Sequence, residues 1–167
     1  MDLIIIRHAI AEDRDTWAEQ GQPDEKRPLT KAGKKKMRQT VDGLTTIVRS
    51  IDVLGTSPLT RAKQTAEIVG KAYDLKPEKV EGLIPDGTRE DVLAWLREQP
   101  EEQTVAIVGH EPNLGLLTSW LLATPMNHFI EYKKGGTAML NWSGPPEPGT
   151  GWLRWMLSPN QLRAMAK

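Results

Sequence analysis

The sequence predicts an α/β protein, a three-layer α/β/α domain with a mostly parallel central sheet over residues 1–167. Two observations carry that prediction. Short, wholly apolar, β-branched runs alternate with segments of helical period, the pattern of strands buried on both faces and joined by crossover helices. The length is one domain's worth of chain, long enough to hide roughly 70% of the surface the unfolded chain exposes.

The elements follow in order. Leu3 to Ile6 is a continuous apolar run and reads as a buried parallel strand. Residues 9–28 lack a sustained period and carry six acidic against three basic side chains, so a long surface loop is expected there. Thr30 to Arg49 reads as a helix with Thr30 as its cap and Met37, Val41, Leu44 and Val48 on its inner face. Ile51 to Leu54 is a second strand. Ser57-Pro58 reads as a helix opening with Ser57 at the N-cap, and Ala62, Thr65, Ala66, Val69 and Tyr73 form the inner stripe. A weak strand is expected at Val80 to Leu83. Thr88 and Asp91 resemble a capping box ahead of Val92, Leu93 and Leu96. Thr104 to Val108 is a buried strand that ends at Gly109-His110, and Pro112 opens the next helix. Thr137 to Trp142 and Trp152 to Leu157 are late strands, and Ser158-Pro159 starts a short last helix.

Composition excludes several classes of function. Lys plus Arg and Asp plus Glu both number 22, so formal charge is zero and a general binder of nucleic acid or anionic membrane is not expected. There is no Cys, which removes disulfides, thiolate catalysis and Cys-ligated metal. Four apolar residues before Arg7 are too few for a signal core or a membrane span, so a cytoplasmic protein is expected.

In open α/β sheets, ligands bind beyond the carboxyl ends of the strands. The first strand delivers Arg7 and His8 to such an end, and the Thr104 strand delivers His110. Arg61 lies one turn into the helix after the second strand. A lone His or Arg after a strand is ordinarily structural; four such residues at three strand ends point to a site. Guanidinium forks match phosphate oxygens. A neutral imidazole is a nucleophile that can carry a covalent intermediate. The combination suits phosphoryl transfer through a phosphohistidine, with two guanidiniums meeting the charge that Mg²⁺ meets elsewhere. No metal or other cofactor is expected.

The same residues carry a family resemblance. Ile6-Arg7-His8-Ala9 resembles the N-terminal Arg-His-Gly signature of the histidine phosphatase superfamily, also called the phosphoglycerate mutase-like fold. Ser57-Pro58-Leu59-Thr60-Arg61-Ala62, with Thr65-Ala66, resembles its second motif, and Val108-Gly109-His110-Glu111-Pro112 its third. Arg27-Pro28-Leu29-Thr30, with Gly33, is similar to the element that opens the family's first helix. The short chain and the Gly-His-Glu-Pro sequence resemble the SixA-type phosphohistidine phosphatase branch. The resemblance implies that His8 is the phosphorylated nucleophile, that Arg7 and Arg61 clamp the phosphoryl oxygens, that His110 is the second pocket histidine and that Arg27 lines the mouth.

Two departures bear on substrate. Ala9 stands where the superfamily usually has Gly, a tolerated change unless φ is positive there. The general acid of the larger phosphomonoesterases has no clear counterpart among Glu81, Asp86, Glu90 and Asp91. Asp86, in a Pro-Asp-Gly turn, is the candidate. An imidazole leaves more readily than an alkoxide, so a missing acid favours phosphohistidine on a partner protein as substrate. The rivals are a small-metabolite phosphomonoesterase and a phosphate-recognition module without turnover. Among the remaining features, the basic run from Lys31 to Arg38 reads as a solvated helix face. Trp95, Trp120, Trp142, Trp152 and Trp155 are expected to pack on the core or sheet, and Trp17 to pin the acidic loop or meet a partner. His128 is assigned no role.

Overall fold

The computed structural model describes residues 1–124 and 129–166; His128 lies outside the described residues. Six strands form one sheet: β1 (Asp2–Arg7), β2 (Val53–Thr56), β3 (Glu78–Lys79), β4 (Thr104–Gly109), β5 (Thr137–Asn141) and β6 (Trp152–Leu157). Their order across the sheet is β3-β2-β4-β1-β5-β6. The pairs β1–β4, β2–β4 and β2–β3 are parallel, and β1–β5 and β5–β6 antiparallel. The helices are α1 (Arg14–Glu19), α2 (Lys31–Ile47), α3 (Thr60–Tyr73), α4 (Arg89–Arg97), α5 (Asn113–Ala123) and α6 (Pro159–Met165).

Alternation along β1 divides the core in two. Leu3 and Ile5 face α4 and α5, packing with Val92, Leu96, Leu114 and Leu121. Ile4 and Ile6 face α2, α3 and α6, packing with Met37, Leu44, Ala62, Val69 and Leu162. Such apolar side chains, removed entirely from water, each contribute about 1.5–3 kcal/mol. This is the three-layer α/β/α architecture expected, and the carboxyl ends of β1, β2 and β4 lie side by side. Arg7 pairs with Gly109, and Thr56 with Val108.

Several local expectations are met. Thr30 caps α2 by accepting from the Gly33 N–H at 2.8 Å. A Cβ at Gly33 would lie 2.1 Å from the Ile10 carbonyl oxygen, so only glycine lets the start of α2 press against the chain leaving β1. Ser158 makes a full capping box with Gln161. The Thr88 hydroxyl caps α4 through the Asp91 N–H. Trp142 is buried, while Trp95, Trp120 and Trp155 pack at the core margins.

Other expectations are corrected. Residues 9–28 contain α1 and a 3₁₀ turn, Asp24–Lys26. Helix α1 buries none of its residues, so it carries no apolar stripe; the Asp13 side chain, accepting from the Thr16 N–H at 2.9 Å, defines its start. The strand expected at Val80 to Leu83 is the two-residue β3 followed by a 3₁₀ turn, Glu81–Leu83. Val80 and Leu83 both enter the same core, and a spacing of three suits a turn rather than an alternating strand. Trp152 is 67% exposed because β6 is the outer strand of the sheet. Among the described residues, no helix is long and apolar enough to cross a membrane.

Candidate active site

The carboxyl ends of β1, β2 and β4 open into a cavity of about 440 Å³ lined by Arg7, His8, Arg27, Arg61 and His110. Five of the six residues singled out from sequence thus meet in one place. Asp86 is exposed and is not among the lining residues; its neighbour Pro85 is. A larger cavity of about 600 Å³ lies between α2 and α3 but has no histidine in its lining, so the chemistry belongs to the smaller one.

Each side chain is positioned by local structure. The His8 N–H continues the β1–β4 ladder onto the Gly109 carbonyl at 3.0 Å. The Ala9 N–H donates to the Thr65 hydroxyl at 3.0 Å, and that hydroxyl donates to the Arg61 carbonyl at 2.8 Å. The first motif is thereby fastened to α3. Gln64 fastens the Arg27-Pro28-Leu29 segment to the same helix by accepting from the Leu29 N–H at 2.8 Å. The only positive-φ residues other than glycine among those described are Asp74 and Thr124, so Ala9 carries no left-handed backbone strain.

Two imidazoles lie 5.0 Å apart, centroid to centroid, tilted by 55°. A carbonyl can only accept, so the 2.7 Å contact between His8 Nδ1 and the Ala9 oxygen assigns the proton to Nδ1. The lone pair of His8 is then on Nε2. Burial pushes the His8 pKa down to about 3; Arg61, Arg7 and Lys134 push the same way, against the Ala9 hydrogen bond. His110 is pushed to about 2, by burial first and then by His8 and Arg61. Both rings are neutral at neutral pH, the state in which an imidazole can act as a nucleophile.

Ser57 departs from its expected capping role. Helix α3 begins at Thr60, two residues beyond the Ser57-Pro58 opening, with Leu59 at the cap position. The Ser57 hydroxyl instead lies 2.8 Å from His110 Nε2, fully buried, and accepts the Leu59 N–H at 3.4 Å. Among the described residues that buried hydroxyl has no other acceptor for its own proton, so it donates to His110 Nε2, which places the His110 proton on Nδ1. His110 Nδ1, Arg7 Nε and Arg61 Nε are all buried without a protein partner. These three N–H donors, from β1, α3 and the end of β4, form an anion cradle suited to phosphoryl oxygens.

Among the lining residues not singled out from sequence as site residues are Glu111, Lys134 and Arg14. Glu111 follows His110, and its Oε1 accepts the Tyr132 N–H at 2.9 Å. The Tyr132 carbonyl in turn accepts from Arg7 Nη1, and the buried Tyr132 hydroxyl pairs with Thr118 at 2.8 Å. Tyr132 therefore braces Arg7 against the third motif. Lys134 reaches the cavity from the next turn, where Gly135, at φ +80°, donates to the carbonyls of Arg7 and His8. Arg14 of α1 also lines the rim. Among the described residues, no group of three or more His, Asp or Glu side chains is placed to hold a metal ion.

The comparisons agree with this geometry. Residues 3–84 match the model of the histidine phosphatase superfamily, branch 1. An uncharacterized protein of Picosynechococcus sp. is 35% identical over 139 residues, 81% of this chain and 82% of that one. The chain belongs to the histidine phosphatase superfamily. Within it, the likeness is to the SixA-type branch. The phosphohistidine phosphatase SixA homolog of Haemophilus influenzae is 29% identical over 157 residues, 86% of this chain and 90% of that one. The structure of the protein histidine phosphatase SixA complexed with tungstate superposes with a TM-score of 0.81 at 28% identity, covering 97% of this chain and 99% of that one. The fold also resembles that of a phosphoserine phosphatase from Entamoeba histolytica, with a TM-score of 0.71 at 19% identity and coverage of 96% and 98%. Fold alone therefore does not choose the substrate.

Proposed function

We propose that the protein is a phosphohistidine phosphatase that works through a phosphorylated His8 on a substrate carried by another protein. The observation that carries the reading is the assigned tautomer of His8: the Ala9 carbonyl holds the Nδ1 proton, leaving Nε2 with a lone pair in a neutral ring. His8 Nε2 attacks phosphorus in line. The bond from phosphorus to the substrate imidazole breaks, and the imidazole leaves with the electron pair and takes up a proton. Arg7, Arg61 and the His110 Nδ1–H meet the charge on the phosphoryl oxygens. Water then attacks phospho-His8, releasing inorganic phosphate and restoring the neutral ring. Arg27 lines the mouth.

Two observations support the protein-borne, nitrogen-linked substrate. Asp86 stands outside the cavity lining, so the proton donor an alkoxide needs is not supplied from that turn. The SixA likeness extends over nearly the whole chain. A role in reversing histidine-based signalling in the cytoplasm belongs to this proposal. The second reading, a small-metabolite phosphomonoesterase, is favoured by one feature: Glu111 lines the cavity beside His110, with Glu12 and Asp13 also in the lining, and a carboxyl group there can serve an ester. The test is a trapping experiment. Acid-labile phosphate should appear on the protein during turnover of a phosphohistidine protein and be absent from His8→Ala. A phosphoenzyme that persists in His8→Ala removes His8 as nucleophile, and a higher kcat/KM on phosphomonoesters than on phosphohistidine moves the assignment to the second reading.

A further inference from the structure

One carboxylate already occupies much of the cationic lining. Asp24 Oδ1 accepts from Arg27 Nε at 2.7 Å and lies 3.7 Å from Arg14 Nε. Its Oδ2 lies 3.0 Å from Arg61 Nη2, and its backbone carbonyl accepts from Arg61 Nη1 at 2.9 Å. The Arg27 and Arg61 side chains are 7% and 2% exposed, while the carboxylate is 42% exposed. Asp24 thus lies on the solvent side of two buried guanidiniums.

Each terminal nitrogen of Arg61 gives one N–H to Asp24, so the Asp24 carboxylate and carbonyl lie across its terminal edge, while Nε has no protein partner. Arg27 gives Nε to Asp24 and Nη1 to the Glu12 carbonyl. Arg7 Nε, Arg61 Nε and His110 Nδ1, buried without a protein partner, suit one tetrahedral phosphoryl group. A carboxylate or second phosphate beside that group would meet the Asp24 carboxylate already seated on Arg27 and Arg61. Burial alone would raise the Asp24 carboxyl, but the Arg27 hydrogen bond and the charges of Arg61, Arg27 and Arg14 outweigh it and hold the pKa below the usual range. The carboxylate stays charged wherever the enzyme is assayed near neutrality.

We propose that Asp24 is a specificity-determining residue, an internal carboxylate that takes up Arg14, Arg27 and Arg61 and so turns away phospho-substrates bearing a second anion beside the scissile group. A phosphohistidine side chain has no such anion, whereas phosphorylated hydroxy and amino acids do. This rests on the placement of the phosphoryl group proposed above, not on the identity of the physiological substrate.

The experiment compares a matched pair, phosphoglycolate and 2-hydroxyethyl phosphate, on the full chain and on Asp24→Asn. The ratio of kcat/KM for the carboxylated over the neutral ester should rise about tenfold or more in the variant, the size of effect expected from removing a like charge at a partly buried site. An unchanged ratio, or an equal fall on both esters, overturns the proposal, because Asp24 would then only hold Arg61 in place. Calorimetric binding to the unsubstituted protein gives a measurement that needs neither variant nor turnover. Inorganic phosphate should bind at least as tightly as phosphoglycolate, and tighter binding of phosphoglycolate overturns the proposal. Phosphatase activity persisting in His8→Ala would instead sink the mechanism while leaving this binding comparison intact.

Discussion

His8 and His110 are neighbours with different supports. His8 is held by the backbone: its Nδ1 donates to the carbonyl of the next residue, an acceptor no side-chain substitution removes. His110 is held by a hydroxyl from another motif, Ser57, 53 residues away in sequence. The difference separates two tasks. A nucleophile needs one nitrogen kept unprotonated in every molecule, and a main-chain carbonyl fixes that locally. A hydrogen-bond donor to the phosphoryl group needs its protonated nitrogen aimed into the cavity from another strand, and that demands a long-range partner. The first and third motifs are therefore joined through the second.

The largest expected effect that sharpens this comparison is at His110 itself. His110→Ala removes one of three N–H donors but leaves His8 Nε2 intact. The phosphoenzyme should still form, with kcat lowered on the order of 10²–10³-fold, as when one donor of an oxyanion site is deleted. Rapid-quench measurement of phosphoenzyme formation separates the two residues. Complete loss of the phosphoenzyme in folded His110→Ala would mean that the nucleophilic and stabilising roles are not divided as proposed.

Much of this site was legible in the sequence. Leu3 to Ile6 and Val105 to Val108 are apolar without interruption because both faces of β1 and β4 are covered, so the strands and their reactive carboxyl ends could be read directly. The inner face of α2 was equally plain from Met37, Val41 and Leu44. What escaped was built from contacts that leave no period. Helix α1 buries nothing, so hydropathy could not reveal it; the Asp13-to-Thr16 cap spacing was the available signal. Asp24 lies three residues before Arg27, an ordinary local acid–base spacing, and its link to Arg61 spans 37 residues that only the fold brings together. Tyr132 and Lys134 act from a connection without a recognisable motif. Ser57-Pro58 was a sound helix-opening signal that lost to tertiary structure, since the hydroxyl finds a buried imidazole before it finds the helix end.

Both histidines should also make stability depend on pH in the same direction. Their native pKa values, about 3 and about 2, lie below the 6.5 of an unfolded histidine. Between those limits the unfolded chain binds protons that the native state does not, so stability is lost as pH falls below about 6.5, by up to roughly 1.4 kcal/mol per pH unit for each ring. Asp13 and Asp24, with lowered carboxyl pKa values, add their loss only as pH falls below the 3.8 of the unperturbed group. A window from pH 6.5 to 5 therefore isolates the imidazoles. Thermal unfolding should shift down across that window in the native protein and be flatter in a His8→Asn, His110→Asn double variant. Parallel shifts in the two would place the effect elsewhere.

The smallest expected effect tests the difference in support most directly. Ser57→Ala deletes a single buried hydroxyl whose net hydrogen bond is worth about 1 kcal/mol, so kcat should fall by roughly fivefold. KM should move less, because the two guanidiniums that hold the phosphoryl group keep their partners. Rate alone cannot separate positioning from a general loosening, but the imidazole nitrogens can. In the native protein, ¹⁵N shifts should report His110 protonated on Nδ1 and His8 likewise. In Ser57→Ala, His110 should become a mixture of tautomers, while His8, held by the Ala9 carbonyl, should not change. A His110 tautomer that survives loss of the hydroxyl would show that another group orients the ring. A change at His8 would show that the two imidazoles are supported together, and the division between backbone and side-chain support would fail.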